Sequence, residues 1–227
     1  MIPDSFLAGL QTFMLALVPA LFGIICHEVA HGWAAYKQGD PTAKMLGRLT
    51  LNPIPHIDPM GLGVFALTAL SPSPLIFGWA KPVPVQAGYF KSPRKGMILV
   101  SLAGPIANLL VALLCALLLK LVINLHAAGI LGYDTAVLLR KSMGLGIGIN
   151  CALAWFNLLP IPPLDGSHIL GGLLPRELAM QYDKIGRYGL LIVILLLATG
   201  LLGEVLIPLM RMTVSLIGAL TGLDLRL

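Results

Sequence analysis

Residues 27–31 read His27-Glu28-Val29-Ala30-His31. On a helix, positions i and i+4 share a face, so both imidazoles can bind one zinc ion. Glu28, one position round from His27, can reach a water on that ion and act as general base. From Ser5 to Tyr36, Glu28 is the only Asp, Glu, Lys or Arg. Ionisable groups in hydrocarbon are costly, so a cluster that persists there marks function. The bland reading is a chance motif, or two histidines that hydrogen-bond their helix neighbours. The spacing in so apolar a stretch favours a hydrolytic metal site inside a membrane helix.

Zinc hydrolases usually offer three protein ligands and leave one position for water. The charged candidates in or near apolar sequence are Asp165, Glu204 and Asp58. Asp165 has a special context, Asn157-Leu158-Leu159-Pro160-Ile161-Pro162-Pro163-Leu164-Asp165-Gly166. The prolines forbid a continuing helix. They predict an extended turn that returns a carboxylate below the bilayer surface. The plainer alternative is a helix-ending loop with Asp165 capping the next helix.

The elements that must position these residues are apolar. The chain has 227 residues, 57% hydrophobic and 11% charged, with a mean hydropathy of +0.90. Soluble domains carry about 25% charged residues. The composition predicts an all-α polytopic membrane protein, a single domain over 1–227; the candidate site residues put its catalytic core at about 5–170, with C-terminal helices about 186–222. The net charge of +5 fits basic cytoplasmic loops. No basic run is dense enough to predict a nucleic-acid partner. Cys26, Cys115 and Cys151 lie in apolar sequence without CxxC spacing and predict packing residues, not disulfides. The start, Met1-Ile2-Pro3-Asp4, lacks a basic n-region, so no cleavable signal peptide is expected.

Five to six transmembrane helices are expected. Segment 5–36 is a span with length to spare, since about 20 residues cross the hydrocarbon. Segment 59–80 carries Gly61, Gly63, Pro72 and Pro74 and reads as re-entrant rather than a clean span. A short strand or hairpin is expected around 83–85. Segments 97–123, 142–159 and 188–203 follow. Gly144, Gly146 and Gly148 favour close packing in the second of these. Segment 204–222, with Arg211 at its centre, either spans or lies in the interface. Loops 37–58, 81–96 and 160–187 hold most of the Lys and Arg, which predicts a cytoplasmic location for all three and an outside N-terminus. The metal site then lies nearer the cytoplasmic side of a cell membrane.

His27-Glu28-Val29-Ala30-His31 followed by Asn157 to Gly166 in the form N-x-x-P-x-x-P-x-D-G resembles the site-2 proteases, intramembrane zinc metalloproteases. Gly47-Arg48-Leu49-Thr50-Leu51-Asn52-Pro53, Phe77-Gly78-Trp79-Ala80-Lys81-Pro82-Val83-Pro84-Val85 and Ala103-Gly104-Pro105-Ile106-Ala107-Asn108 also resemble compact prokaryotic members. The likeness is good over 20–170 and weak beyond. No PDZ-like or CBS-like segment is inserted, and His168 stands where relatives often have Arg.

The resemblance implies one Zn²⁺ held by His27, His31 and Asp165, with Glu28 as base. It implies a transmembrane protein substrate in a lipid bilayer. A helical substrate must unwind locally, and segment 59–80 with 83–85 could receive it by strand addition. Asn157 and Asn108 are candidate donors to the oxyanion; their plainer role is interhelical hydrogen bonding. Asn108 and His168 are also candidates to support the ligands from behind. His56 could support or gate the site, although its plainer reading is a loop histidine near the interface, and His126 reads as a solvated loop residue.

Two other readings compete. One is a membrane zinc protease with Glu177 or Glu204 as third ligand. The other is a metal-ion transporter, for which Glu28 need not act as a base, or a non-catalytic relative. Nothing in the sequence sets the oligomeric state.

Overall fold

A computed structural model describes residues 4–70 and 79–225. The protein is all-α. Its helices are α1 (Asp4–Lys37), α2 (Thr42–Met45), α3 (Pro59–Leu70), α4 (Pro93–Ala127) and α5 (Tyr133–Asn157). They continue as α6 (Asp165–Leu173), α7 (Arg176–Ile185), α8 (Gly189–Ala198) and α9 (Leu201–Thr221). Four are long and apolar enough to cross a membrane, over Gly9–Lys37, Pro93–Ala127, Tyr133–Asn157 and Leu201–Thr221. The chain is therefore a multi-pass membrane protein.

The remaining apolar segments are shorter than their hydropathy suggested. Segment 188–203 breaks at Gly200, whose φ of 76° closes α8 after ten residues. Ten residues rise about 15 Å, half of a bilayer's hydrocarbon thickness of about 30 Å. The twelve residues of α3 rise about 18 Å. Gly61 and Gly63 lie inside α3 rather than breaking it, and Pro72 and Pro74 lie outside the described residues. Conversely, α5 begins nine residues before the expected 142, because Asp134, Arg140 and Lys141 occupy its first turns and hide the helix from hydropathy. Among the described residues there is no strand. Residues 81–86 run without regular structure.

Helix α4 is the centre, packed by α1, α5, α6 and α9. Val111, Ala112, Cys115, Ala116 and Leu119 of α4 meet Ile147 and Cys151 of α5 and Val214 and Ile217 of α9. Small side chains let the backbones approach, as membrane helices require when lipid is as apolar as the core. Of the three glycines in α5, Gly146 is a tight one: a Cβ there would lie 2.8 Å from Cys115 Sγ and 2.9 Å from Pro19 Cβ. A Cβ on Gly144 would meet nothing within 4 Å. All three cysteines are free, and Cys115 and Cys151 are buried packing residues as expected.

Pro19 lies inside α1 and has no N–H to give the Leu15 carbonyl one turn before it. Ser142 Oγ of α5 donates to that carbonyl at 2.8 Å. In hydrocarbon an orphan carbonyl costs several kcal/mol, so this bond answers the proline directly.

Candidate metal centre

Helix α1 carries His27 and His31 on the face turned to α4. Val100 and Gly104 of α4 bring its backbone against them. A Cβ on Gly104 would lie 2.5 Å from His31 Nε2 and 2.6 Å from His27 Cε1, so glycine here is the space the imidazoles occupy. The chain leaves α5 at Asn157 and turns through Pro160, Pro162 and Pro163. It re-enters helix at Asp165, the first residue of α6. Gly166 allows the return, since a Cβ there would sit 2.2 Å from the Leu158 carbonyl oxygen. Asp165 makes no capping bond at the α6 N-terminus, so the capping alternative is not what the turn builds.

That return brings Asp165 to the histidines. Its Oδ2 lies 3.2 Å from His27 Nε2 and 3.3 Å from His31 Nε2, and the two Nε2 atoms are 2.9 Å apart. A tetrahedral zinc with bonds of about 2.0 Å has ligand–ligand edges of about 3.3 Å. The side chains are only 10, 12 and 15% exposed. Among the described residues this is the only such cluster of three ligating side chains.

The protons make the same point. His31 Nδ1 is 2.8 Å from the Val100 carbonyl, which can only accept, so Nδ1 carries the hydrogen. His27 Nδ1 donates to Asn108 Oδ1 at 2.7 Å. In the neutral imidazoles both Nε2 atoms are then lone pairs, and Asp165 Oδ2 is buried with no other hydrogen-bond donor. Three lone pairs converge with no proton between them, which a cation resolves.

Glu28 is held by a different partner. Its Oε2 accepts from the Val83 amide at 2.7 Å. Segment 81–86 is held there by the loop before α3: Arg48 Nη2 donates to Lys81 O at 2.6 Å, and Lys81 N donates to His56 O at 2.9 Å. Beyond it, Gln86 N donates to Asp40 Oδ2 at 2.6 Å. Burial raises the Asp40 carboxyl, but bonds from the Thr42 hydroxyl and from the Gln86 and Thr42 amides outweigh it and hold the group below its ordinary value. The Gly47–Pro53 and Trp79–Val85 motifs thus form one clamp that sets the carboxylate of Glu28.

His56 does lie in the loop before α3, but it is buried there. It is 1% exposed, and its Nε2 donates to Thr50 O at 2.9 Å. Arg48, read only as a loop cation, is also buried. His126 does lie near a loop, with Nδ1 on the Leu131 carbonyl. His168 is exposed, one turn beyond Asp165, and has no described contact with the ligand set. Asn157 Nδ2 donates back to Leu153 O at 3.0 Å. Asn150, which the sequence reading missed, is wholly buried and hydrogen-bonded to Asn108. Its signal was an uncompensated amide in a membrane span. Glu177 and Glu204 stand outside the cluster.

The model described as Peptidase family M50 matches residues 122–198, the stretch that includes Asp165. YwhC of Bacillus subtilis (strain 168), named as a candidate zinc metalloprotease, is 39% identical over 212 residues. That alignment covers 92% of this chain and 91% of YwhC. The chain belongs to peptidase family M50, the site-2 protease family. Rip2 of Mycolicibacterium smegmatis, named in the same way, is 32% identical over 195 residues, covering 85% of this chain and 70% of its own length. A similarly named Methanocaldococcus jannaschii protein is 29% identical over 164 residues, covering 71% and 72%. No solved structure matches. The protein is thus a membrane zinc metalloprotease, and the transporter alternative falls away.

Gly104→Ala tests the cradle. The added methyl should lower zinc affinity by at least about tenfold, the lower end of what disturbed ligand orientation costs. Metal content after dialysis against a weak chelator reads this, with helix content as the folding control. Wild-type zinc retention would mean that the imidazoles do not sit against α4.

Proposed function

We propose that His27, His31 and Asp165 hold the zinc and that Glu28 is the general base for cleaving transmembrane segments of other membrane proteins. The observation that carries this is the triangle of two bare Nε2 atoms and one donorless carboxylate oxygen. Bound zinc would polarise the peptide carbonyl and bring the pKa of a water towards about 7. Glu28 takes the proton from the attacking water and passes it to the leaving amine. Its Oε2 is tied to Val83 N–H, which fixes the direction in which Oε1 can work. Asn157 serves as a donor to the developing oxyanion once its amide leaves Leu153 O. Asn108 supports His27 from behind rather than touching the substrate. His168, being exposed, takes no part. Residues 83–85, which pair with no strand among the described residues, offer a place for an unwound substrate segment beside the base.

The site belongs near the cytoplasmic face of the cell membrane. Trp33 and Tyr36 are exposed at the end of α1, with Lys37 Nζ 5.3 Å and Lys44 Nζ 4.6 Å from their ring centres. Aromatic and basic residues together mark a membrane interface. His31 is two residues from Trp33, about 3 Å along the helix. Four crossings fit the contacts best, with α3 re-entrant and α8 partial. The Lys120 ammonium of α4 donates to Thr221 O at 2.7 Å, and Trp155 of α5 donates to Thr213 at 2.9 Å. Helix α9 therefore runs parallel to α4, and in this topology the start of α1 and the end of α9 lie outside. Its packing on α4 and α5 supports one domain over 1–227.

Cysteine labelling in intact cells tests the topology. Positions 44, 94 and 184 should be protected from an impermeant reagent, and position 130 labelled. External labelling at 44 or 94 would overturn the cytoplasmic placement and the re-entrant α3.

A further inference from the structure

Given His27 as a zinc ligand, as proposed above, we infer that Asn150 is a positioning residue that acts through Asn108 to keep the His27 proton on Nδ1. Asn150 and Asn108 are both 0% exposed, at the junction of α1, α4 and α5. Asn150 Nδ2 donates to Gly146 O at 2.9 Å and to Pro19 O at 3.4 Å. A carbonyl offers only lone pairs, so the atom of Asn150 that faces them must be its NH₂. Its Oδ1 then points the other way and accepts from Asn108 Nδ2 at 3.0 Å. The second hydrogen of that Nδ2 goes to Gly23 O at 3.1 Å. Asn108 is left with Oδ1 towards His27 Nδ1. The hydrogen must therefore be on Nδ1, and in the neutral imidazole Nε2 is bare.

Reversing any amide in the chain has a defined consequence. If Asn108 turned over, its Oδ1 would face Gly23 O and Asn150 Oδ1, two acceptors. Its NH₂ would then donate to His27 Nδ1 and send the proton to Nε2, the atom needed for the metal. Two acceptors thus lock Asn108, and Asn150 is one of them. Asn150 cannot itself turn over without setting its oxygen against Gly146 O and Pro19 O. Helix α1 is shaped to admit it: a Cβ on Gly23 would lie 2.0 Å from Asn150 Oδ1 and 2.8 Å from its Cγ. In hydrocarbon, where no water can replace a lost partner, the orientation is a property of the protein alone.

Asn150→Ala in the full-length protein, purified in detergent, should bind zinc about tenfold more weakly by chelator competition. Partners that orient a ligand are typically worth 10–100-fold, and Gly23 O remains as the second lock. Nitrogen NMR of labelled histidines in metal-free protein should show the His27 proton on Nδ1 in the wild type and shared between nitrogens in the variant. A packing role would not move that signal. In an Asn108→Ala background there is no amide to orient, so Asn150→Ala should cause no further fall in zinc affinity.

A proton on His27 Nε2 in the metal-free wild type would overturn this role without any variant. So would wild-type zinc affinity in Asn150→Ala, or an equal fall in both backgrounds. If Asn150→Ala does not fold, Asn150→Ser serves in its place. Zinc binding unchanged by His27→Ala would overturn the ligand assignment and this role with it. Loss of zinc in His27→Ala beside wild-type behaviour in Asn150→Ala would overturn this role alone.

Discussion

Glu28→Gln should abolish cleavage of a transmembrane substrate while the protein keeps its zinc. The reasoning starts from the Val83 amide, which donates to Glu28 Oε2 at 2.7 Å. A glutamine side chain still offers one carbonyl oxygen there, so segment 81–86 stays clamped to α1. What it cannot do is take a proton. General-base help contributes about 10²–10⁴-fold, so turnover should fall by at least two orders of magnitude. Fold stability should hold or rise, because a charge in apolar surroundings is replaced by a neutral amide. Glu28→Ala is a harsher change, since it also releases Val83 and loosens the clamp. The assay is cleavage in detergent, with zinc measured on the same sample. Full activity in Glu28→Gln would sink the assigned chemistry, and loss of zinc with activity would make Glu28 a ligand or fold element.

The residues proposed to react were legible because they break the rule of their surroundings. His27, Glu28 and His31 stand in an uncharged span, and Asp165 follows a run of prolines that cannot be helical. Their partners were harder to read. Asn108 and Asn150 are single amides on different helices, and their meaning appears only when α4 and α5 pack against α1. Arg48 and His56 looked like ordinary loop residues, yet both are buried because the loop folds back to hold 81–86. Helix ends suffered where hydropathy and turn chemistry disagreed. Gly200 stopped α8 inside an unbroken apolar run, and three charges disguised the start of α5. A short strand was expected at 83–85, but the segment has no regular structure and its partner was not another strand. It was a carboxylate on α1.

Asp165→Ala should remove zinc more completely than any change behind the ligands. Altering a supporting partner costs about 10–100-fold in affinity, so deleting a ligand should cost more than about 100-fold. The structural reason is that α6 packs chiefly on α4 and meets α1 through this ligand set. Two histidines four residues apart on one helix remain, but they leave half of a tetrahedral shell to water. Zinc should also cease to stabilise the fold. At a free concentration 100 times Kd, a ligand that binds only the native state adds about 2.7 kcal/mol. The wild type should therefore unfold at a higher temperature with zinc than with chelator, and Asp165→Ala should show no such difference. Asp165→Asn separates charge from shape: its amide fits the same space, lacks the negative charge and should also fail to retain zinc. Unchanged stoichiometry and affinity in Asp165→Ala would remove this residue from the site. The third ligand would then have to be sought among groups the fold holds apart from His27 and His31.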